Sequence, residues 1–410
     1  MGDHVLKSPA TRRAVAIFAA GFVGVTVLIA APGEAAADVV PAPAVSSTVF
    51  PPLGEPGSVI RTPGTFTFSV PAGSGVVEFD YVLNGTLMVG GGNAHVAAGA
   101  DGTATTPQLR SALWGTNVLT VEAVDASGAV SPATSYLFYL AGPSQVDRHS
   151  DYDGDGNVDL LSVGADGGLR FSAGRGDGSA AASVGTMSGV DLTGALVAGG
   201  GKEARGIFED LFIYQSGNLY NVQGDGLGGF SPTQEILVSP PSGLSEWPAL
   251  TQLLSPGDLT GHRRADLIGR VGDQLFLFPS VALDRYAAPV AIAGSGWSGR
   301  TVIGVVDNAG GGHDLIARDD ATGRIWRYPG QPDGTFGDES TRVCAGAGLK
   351  ARNFPQAIAK GDVTGDGVAD IWAVHKNGDL FVLPGLAGGG FGLPRNVANQ
   401  AAWAGVTTLG

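Results

Sequence analysis

Two short acidic segments contain side chains that could bind a metal ion. Loop 1, residues 151–159, places an oxygen ligand at every second position, and Gly156 permits a tight turn between them. Closely spaced carboxylate, amide and backbone oxygens are the ligands that Ca²⁺ prefers in proteins. The spacing therefore predicts a calcium site formed by Asp151, Asp153, Asp155, Asn157 and Asp159.

Loop 5, residues 362–370, repeats this spacing with one carboxylate fewer. A helical EF-hand needs Glu at position 12, where the first segment has Ser162, so both segments are predicted to be loops between strands. Calcium would then have a structural role at the rim of the fold. The second predicted site consists of Asp362, Thr364, Asp366, the carbonyl of Val368, and Asp370.

Three related segments have lost these ligands. In loop 3, residues 258–266, His262 replaces the acid at the fifth position. Loop 4, residues 307–314, is one residue shorter, and loop 2, residues 191–210, contains an insertion. No ion is predicted in these three loops.

The loops belong to a repeat of about fifty residues. An aspartate precedes two apolar residues five times, at intervals of 51, 56, 48 and 56 residues. Each occurrence is followed by an alternating run typical of a strand, and three of the repeats then have a Gly-rich turn ending in Phe. Four strands per repeat indicate a propeller blade. The five aspartates are Asp159, Asp210, Asp266, Asp314 and Asp370.

The last residues of the chain favour a closed ring. Residues 403–409 have the aromatic and strand pattern that precedes the later loops, whereas the strand expected before Asp151 is missing. Pairing these two regions would remove exposed sheet edges. The sequence therefore predicts a five-bladed β-propeller over residues 142–410, closed by its C-terminal strand. A six- or seven-bladed ring and an open solenoid are the alternatives.

The repeats resemble the FG-GAP or VCBS repeats of integrin-α-like propellers. Residues 362–370, DVTGDGVAD, and residues 389–392, GGFG, carry this resemblance, which covers about residues 145 to 410. Five blades of this length also resemble the tachylectin type of lectin propeller. The second resemblance implies carbohydrate binding, although fold similarity alone does not assign function.

Residues 62–141 predict a separate β-sandwich. Residues 121–132, VEAVDASGAVSP, resemble the end of bacterial Ig-like or fibronectin-type modules, which implies a spacer or adhesive domain. The Pro- and Ala-rich residues 38–61 predict an extended linker. Five alternating stretches bounded by turn residues are the evidence for the sandwich: residues 65–70, 76–83, 94–97, 117–124 and 135–140.

Residues 1–37 have the pattern of a signal peptide. Lys7, Arg12 and Arg13 precede an apolar run at residues 14–31, and residues 35–37 offer a cleavage site. Cleavage predicts a secreted protein with no membrane attachment, and an uncleaved membrane anchor is the alternative. Export by the Sec pathway is expected, with the twin-arginine pathway as the other route.

Composition and missing motifs exclude several function classes. The 410 residues include 24 Lys and Arg against 38 Asp and Glu, with no basic run, so a nucleic-acid surface lacks its electrostatic driving force. Cys344 is the single cysteine, which excludes an intrachain disulfide, and we expect it to be buried. The sequence has no Gly-x-Ser-x-Gly, His-Glu-x-x-His or Walker motif, so an enzyme is not expected.

Two further signals have a structural interpretation. Arg175-Gly176-Asp177 spells an integrin-ligand tripeptide but lies in phase with the Gly-rich turns, so it is predicted to be a repeat turn. Core packing is expected for the recurring tryptophans, with sugar stacking as the alternative. These are Trp247, Trp297, Trp326, Trp372 and Trp403.

The leading hypothesis is a secreted, calcium-stabilised, monomeric binding protein whose propeller rim recognises an extracellular glycan or a protein. The competing hypothesis is a secreted polysaccharide hydrolase or lyase. Such an enzyme would gather carboxylates from several blades around the propeller channel.

Overall fold

The computed structural model describes residues 39–85, 93–143, 146–201, 208–293, 295–307, 312–398 and 403–410. These ranges are all-β and contain no α-helix, as the alternating patterns predict. Within them, no helix has the length and hydrophobicity needed to cross a membrane. The chain divides into two compact units, one ending at Gln145 and one covering Val146–Gly410. The predicted signal peptide lies outside the described residues.

The N-terminal unit consists of two sheets. Its strands are β1 (Ala44–Ser46), β2 (Ser58–Val59), β3 (Thr67–Ser69), β4 (Val76–Leu83), β5 (Ala94–Ala97), β6 (Thr103–Thr105), β7 (Gly115–Asp125) and β8 (Thr134–Ala141). One sheet has the order β1-β3-β6 and the other the order β2-β8-β7-β4-β5. The five stretches predicted from sequence correspond to β3, β4, β5, β7 and β8, whereas β1, β2 and β6 were not predicted.

Phenylalanine rings join the two sheets. Phe68 of β3 lies 5.6 Å from Phe79 of β4, measured between ring centroids. Phe50 lies 5.1 Å from Phe66 and 5.0 Å from Phe138 of β8. All five rings are buried, so they form the centre of this unit's core.

The segment before residue 62 is not the extended linker that its prolines predicted. Its strand β1 pairs with β3, and β2 pairs in parallel with β8. The side chain of Phe50 is 2% exposed. Apolar burial and main-chain pairing outweigh the extended preference of the Pro-rich composition, so the described residues 39–61 belong to the packed unit.

The C-terminal unit is a series of short antiparallel strands. Its first two sheets use β9 (Leu160–Gly164), β10 (Leu169–Ser172), β11 (Val184–Gly185), β12 (Leu196–Gly199), β13 (Leu211–Gln215), β14 (Asn218–Gly224) and β15 (Phe230–Val238). The third uses β16 (Leu250–Gly257), β17 (Asp266–Val271), β18 (Gln274–Phe278) and β21 (Val290–Ala293), with a small hairpin of β19 (Ser280–Ala282) and β20 (Arg285–Tyr286).

The remaining strands form the last part of the unit. They are β22 (Arg300–Asp307), β23 (His313–Asp319), β24 (Ile325–Tyr328), β25 (Val343–Gly346), β26 (Gln356–Gly361), β27 (Asp370–Val374), β28 (Leu380–Leu383), β29 (Gly385–Leu386), β30 (Gly390–Phe391), β31 (Arg395–Ala398) and β32 (Val406–Leu409). Strands β29 and β30 pair as a second small hairpin.

These strands assemble into four-stranded arrangements. Three sheets have the orders β11-β10-β9-β32, β12-β13-β14-β15 and β16-β17-β18-β21, and an eight-stranded sheet has the order β25-β24-β23-β22-β26-β27-β28-β31. The halves of the eight-stranded sheet meet in one parallel bridge, between Gly304 and Ala359. A Cβ at residue 304 would lie 2.1 Å from the Ala359 carbonyl oxygen, so this close approach requires glycine.

The end of the chain joins the first of these sheets. Strand β32 pairs antiparallel with β9, and the Gly410 N–H donates to the Leu161 carbonyl at 3.0 Å. The predicted pairing of the C-terminal strand with the first repeat is therefore confirmed.

Hydrophobic clusters connect the four-stranded arrangements in a cycle. Four clusters join each four-stranded arrangement to the next one along the chain. For example, Leu161 of β9 and Ile213 of β13 belong to one cluster, and Phe212 of β13 and Leu267 of β17 belong to another. A fifth cluster places Trp372 of β27 with Leu160 of β9 and Leu409 of β32. The core thus lies between neighbouring sheets, and the last sheet packs against the first.

Candidate functional site

Each of the five repeats has a buried aspartate at or just before its second strand. All five are at most 3% exposed: Asp159, Asp210, Asp266, Asp314 and Asp370. In loops 1, 3 and 5, Oδ2 accepts the N–H seven residues earlier, at 2.7, 2.9 and 2.9 Å. Oδ1 accepts an N–H beyond the hairpin, from Gly174, Ser280 and Gly385, at 2.9, 2.8 and 2.6 Å. We call the five buried aspartates the closing aspartates.

The closing aspartate has a structural role that does not depend on a cation. Asp266 makes the same backbone contacts as Asp159, although loop 3 lacks the other acids. Burial raises the pKa of Asp266 and of Asp370, and it raises the pKa of Asp159 to about 8. Each carboxylate offsets part of this burial cost by accepting backbone N–H groups.

Loop 1 brings three carboxylates together. Ligand oxygens of Asp151, Asp153 and Asp159 lie within 4.8 Å of one another, and the three residues are 2%, 8% and 0% exposed. Asp155 is exposed and lies outside this cluster, where its Oδ1 accepts the Asn157 N–H at 2.8 Å. The structure therefore brings together three of the five residues that the spacing predicted as ligands.

The backbone of loop 1 folds around Asp151. Its Oδ1 accepts the Gly154 N–H at 2.7 Å, and its Oδ2 accepts the Gly156 N–H at 3.0 Å. Both glycines have positive φ, 72° and 89°, which other residues adopt at a cost. The two glycines thus allow the first carboxylate of the loop to turn back toward the closing aspartate.

The electrostatics of this cluster suit a hard cation. Burial raises the pKa of Asp151 to about 6, and the charges of Asp147 and Asp155 add to the rise. Burial also dominates the shift of Asp159, to which the charge of Asp153 contributes. Three buried carboxylates repel one another when ionised, and a divalent ion among them would remove that repulsion. Asp151, Asp153 and Asp159 therefore fit a calcium ion.

Loop 5 has the same frame but a more open arrangement. The Asp362 oxygens accept the N–H groups of Gly365, Asp366 and Gly367 at 2.6, 3.1 and 2.7 Å. Asp366 is exposed, and Oδ1 of this residue accepts the Val368 N–H at 2.9 Å. Residues 362–370 are all described, and their three carboxylates do not converge as those of loop 1 do.

Loops 3 and 4 differ from loop 1 in the groups that lie near their aspartates. In loop 3, Asp258 accepts the N–H groups of His262 and Arg263 at 3.0 and 2.6 Å. Arg263 has φ 61° at the position that glycine occupies in loops 1 and 5. In loop 4, Nη1 of Arg327 lies 3.4 Å from the closing aspartate Asp314. In loop 4 an internal cation thus lies near the closing aspartate, and no ion was predicted in either loop.

The Gly-rich turns pack against the loops of a neighbouring repeat. The Gly178 N–H donates to the Val363 carbonyl at 2.7 Å, and the Gly228 N–H donates to the Tyr152 carbonyl at 3.0 Å. Nε1 of Trp372 donates to the Gly178 carbonyl at 2.8 Å. The Arg175-Gly176-Asp177 tripeptide lies in the first of these turns, which confirms that it is a repeat turn.

Four of the five recurring tryptophans are core residues. Trp247, Trp297, Trp372 and Trp403 are at most 4% exposed, so they have no free face for a sugar. Trp326 is half-buried, and the guanidinium carbon of Arg342 lies 4.0 Å from its ring centroid. Cys344 is exposed on β25, contrary to the expected burial, because its strand is the outer edge of its sheet.

A cavity of about 240 Å³ lies along the first strands of the repeats. Its wall consists of residues from β12, β16, β22, β26 and β32, together with His149. Among the described residues, the ionisable side chains that line it are His149 and Lys360, and no carboxylate side chain does. The carboxylate pair required by the hydrolase or lyase hypothesis is therefore not part of this wall.

Lys360 of β26 donates hydrogen bonds to two neutral groups. Its Nζ donates to the Gly199 carbonyl and to the Tyr152 hydroxyl, the latter at 3.3 Å. Burial lowers the pKa of Lys360 to about 7, an effect that the charge of Glu209 partly opposes. Glu209 itself accepts the Gly201 N–H at 2.6 Å and lies 3.6 Å from His149.

Sequence reasoning did not identify His149 or Lys360. Each stands two residues before the first aspartate of its loop, a position that Pro256 and Val305 occupy before loops 3 and 4. Comparison of the repeats at this position would have identified two basic residues where other repeats are apolar.

Comparisons with known proteins do not establish a family. No protein-family model and no curated protein sequence matches the chain. Solved structures similar to it include an Agrocybe aegerita lectin described as recognising non-reducing terminal N-acetylglucosamine, with a TM-score of 0.34 and 16% identity. That alignment covers 70% of this chain and 65% of the lectin, so the chain spans less than two thirds of the lectin's length.

Two other solved structures show similarity of the same order. The BP39L lectin of Burkholderia pseudomallei has a TM-score of 0.33 and 16% identity, over 83% of this chain and 98% of the lectin. The Tc holotoxin pore of Photorhabdus luminescens has a TM-score of 0.34 and 20% identity, over 62% of this chain and 12% of the toxin chain. TM-scores this low indicate neither a shared family nor a shared ligand.

Proposed function

We propose that this chain is a secreted, calcium-stabilised binding protein in which an Ig-like domain precedes a five-bladed propeller of the FG-GAP or VCBS type. The cyclic set of hydrophobic clusters and the pairing of β32 with β9 support a closed ring. The two facing sheets of the N-terminal unit support a sandwich. The pattern of residues 1–37 supports export.

The convergence of Asp151, Asp153 and Asp159 is the observation that carries the calcium assignment. These carboxylates would hold the ion, and the ion would supply positive charge that fixes loop 1 at the rim of the ring. Because calcium would bind the folded state and not the unfolded chain, it would stabilise the fold by mass action. Loop 5 is proposed as a second and weaker site, since its carboxylates are more exposed.

Thermal unfolding of the full chain tests this assignment. We expect a higher melting temperature in millimolar Ca²⁺ than in excess EDTA, and calorimetric titration with Ca²⁺ should give one strong site or one strong and one weak site. Equal melting temperatures in Ca²⁺ and EDTA would show that the calcium assignment is wrong.

A binding role is favoured over catalysis because the described cavity wall has no carboxylate pair and the sequence has no catalytic motif. Extracellular glycan is the proposed ligand class, with a protein as the alternative, and the proposed state is a monomer. A glycan array probed with the full chain in Ca²⁺ should give saccharide signals above background. An array with no such signal would remove the glycan proposal and leave protein adhesion.

A further inference from the structure

The exposed aromatic rings of this chain lie in its N-terminal unit. Among the described residues, two aromatic side chains are exposed, Trp114 at 49% and Tyr139 at 47%. The tryptophans of the repeats are instead buried or half-buried. Within the described part of the chain, no group hydrogen-bonds the Trp114 indole N–H or the Tyr139 hydroxyl. Each ring therefore presents both apolar surface and a hydrogen-bonding group to solvent.

Tyr139 belongs to an apolar outer surface of β8. Leu137 and Tyr139 alternate along this strand with Phe138 and Leu140, which are at most 1% exposed. Because successive side chains of a strand point to opposite faces, Leu137 and Tyr139 project away from the core of the unit. Leu137 is 42% exposed, so the two side chains form an apolar row at the surface.

The neighbouring strands extend this row. On β7, Val118 lies opposite Leu137, and Thr116 lies opposite Tyr139 and adds an exposed hydroxyl. Trp114 directly precedes β7, at the end where Thr116 pairs with Tyr139. On the other side of β8, β2 contributes one exposed valine. We call this surface the β8 face, which consists of Val59, Trp114, Thr116, Val118, Leu137 and Tyr139.

The β8 face differs in charge from the chain as a whole. Acidic residues exceed basic ones by 38 to 24 overall, whereas every residue that pairs β8 with β7 or β2 is uncharged. The net negative charge disfavours an anionic polymer and a second copy of this chain as occupants, and it does not repel a neutral polysaccharide. Exposed rings and hydroxyls on an uncharged surface match the apolar C–H faces and the hydroxyls of neutral sugars.

We propose that the β8 face binds a neutral, β-linked polysaccharide of the flat, cellulose-like type, with Trp114 and Tyr139 stacking on its pyranose rings. Such a chain is a ribbon with apolar sugar faces, so it fits a sheet surface better than a helical, α-linked glucan does. The hydroxyls of Thr116 and Tyr139 would hydrogen-bond the sugar hydroxyls. This inference rests on the proposed glycan binding, and it places the site in the N-terminal unit rather than in the repeats.

Calorimetric titration of the full chain with cellohexaose and with N-acetylchitohexaose tests the proposal, and maltohexaose is the α-linked control. We expect saturable binding of at least one β-linked probe at one site per chain, and weaker binding of maltohexaose. Trp114→Ala and Tyr139→Ala should each weaken binding about five- to tenfold, the effect expected for the loss of one aromatic stacking contact. Tyr139→Phe keeps the ring and should weaken binding less than Tyr139→Ala.

The matched control variant is Leu393→Ala, which removes an apolar side chain that is 80% exposed in the C-terminal unit and should bind like the wild type. A cooperative thermal transition in each variant would show that it is folded. Absence of binding to both β-linked probes, or unchanged affinity in both folded alanine variants, would overturn the proposal. Wild-type dimers in sedimentation equilibrium that dissociate in both alanine variants would assign the β8 face to a second copy instead.

The glycan array separates failure of this site from failure of the proposed function. Saccharide signals that persist in Trp114→Ala and Tyr139→Ala would leave glycan binding in place and remove only the β8 face. An array without signals for the wild type would remove both.

Discussion

Loops 1 and 3 have the same hydrogen-bonded frame but different charges. In both, the closing aspartate accepts an N–H seven residues earlier and another beyond the hairpin, and the first aspartate accepts N–H groups within its own loop. Loop 1 adds Asp153 to this frame, whereas loop 3 has Thr260 at that position and His262 and Arg263 two and three residues later.

This difference separates the structure of the loop from its affinity for a cation. The frame forms in loop 3 without an acidic cluster, so calcium is not needed to define the turn. The third carboxylate of loop 1 creates repulsion that only a cation or bound protons can relieve. Ion binding is therefore an added property of a loop that the repeat already requires.

Removing the closing aspartate of loop 3 should have the largest effect on stability. Asp266→Ala would leave the N–H groups of Leu259, Thr260 and Ser280 without their acceptor in a buried site. We expect a loss of about 3–5 kcal/mol in the free energy of unfolding, equal in Ca²⁺ and in EDTA. Denaturant titration measures it, with the partly exposed Asp258→Ala as the control. A loss below about 1 kcal/mol would contradict a structural role for the closing aspartate.

The second largest expected effect is the pH dependence of stability, which should distinguish loop 1 from loop 3. Because the folded-state pKa of Asp151 is about 6, above its usual value, the folded chain retains a proton that the unfolded chain has lost between pH 4 and pH 6. Stability in EDTA therefore falls as pH rises through this window, by up to roughly 3 kcal/mol from Asp151 alone.

Melting temperatures from pH 4 to pH 8 measure this dependence. Saturating Ca²⁺ should reduce it, since the ion favours the ionised carboxylates. Asp151→Asn in EDTA isolates the contribution of this residue from that of other titrating groups. If wild type and Asp151→Asn had the same pH profile in EDTA, burial of the Asp151 charge would be excluded as the cause of the pH dependence.

The increase in stability that Ca²⁺ produces should depend on loop 1 and not on loop 3. At a free Ca²⁺ concentration one hundred times Kd, a single site adds about 2.7 kcal/mol to the free energy of unfolding. Asp153→Asn should remove most of this increment, and Asp258→Asn in loop 3 should leave it unchanged. Thermal unfolding of the three chains with and without Ca²⁺ makes the comparison. An increment that persists in Asp153→Asn would place the ion elsewhere, with loop 5 as the next site to mutate.

The smallest expected effect concerns the backbone of loop 3. Arg263 has φ 61°, whereas loops 1 and 5 have glycine at this position with φ 89° and 85°. Arg263→Gly should stabilise the chain by about 0.5–1 kcal/mol, because glycine adopts this conformation without the steric cost of a Cβ. Chemical denaturation of wild type and variant measures the change. A destabilised variant would show that contacts of the Arg263 side chain outweigh the backbone strain.

Much of the fold could be predicted because it depends on local sequence patterns. Alternation identified β4, β5, β7 and β8 within a few residues, and the repeat period identified all five closing aspartates. The same patterns failed for residues 39–61, where prolines favoured an extended chain but Phe50 and the pairing of β1 and β2 joined the segment to the sheets. Contacts between residues far apart in sequence decided that segment.

The candidate sites also depend partly on local sequence and partly on contacts between distant residues. Loops 1 and 5 have nearly identical spacing, yet only the carboxylates of loop 1 converge within the described residues. Spacing states which oxygens are available, while burial and the direction of each side chain decide which oxygens meet. Lys360 was not predicted because its cavity is made by strands from all five repeats, and no single segment contains that information.

The amino-acid sequence by itself determined strands such as β4, β5, β7 and β8, the repeat period and the closing aspartates, because these depend on side-chain alternation and on the hydrogen bonds of single loops. It also determined the pairing of β32 with β9, since one strand was missing where another was in excess. Only the tertiary structure decided that three carboxylates of loop 1 converge and that Lys360 donates to the Gly199 carbonyl and the Tyr152 hydroxyl. Packing between neighbouring sheets sets the burial and direction of these side chains, and local sequence does not.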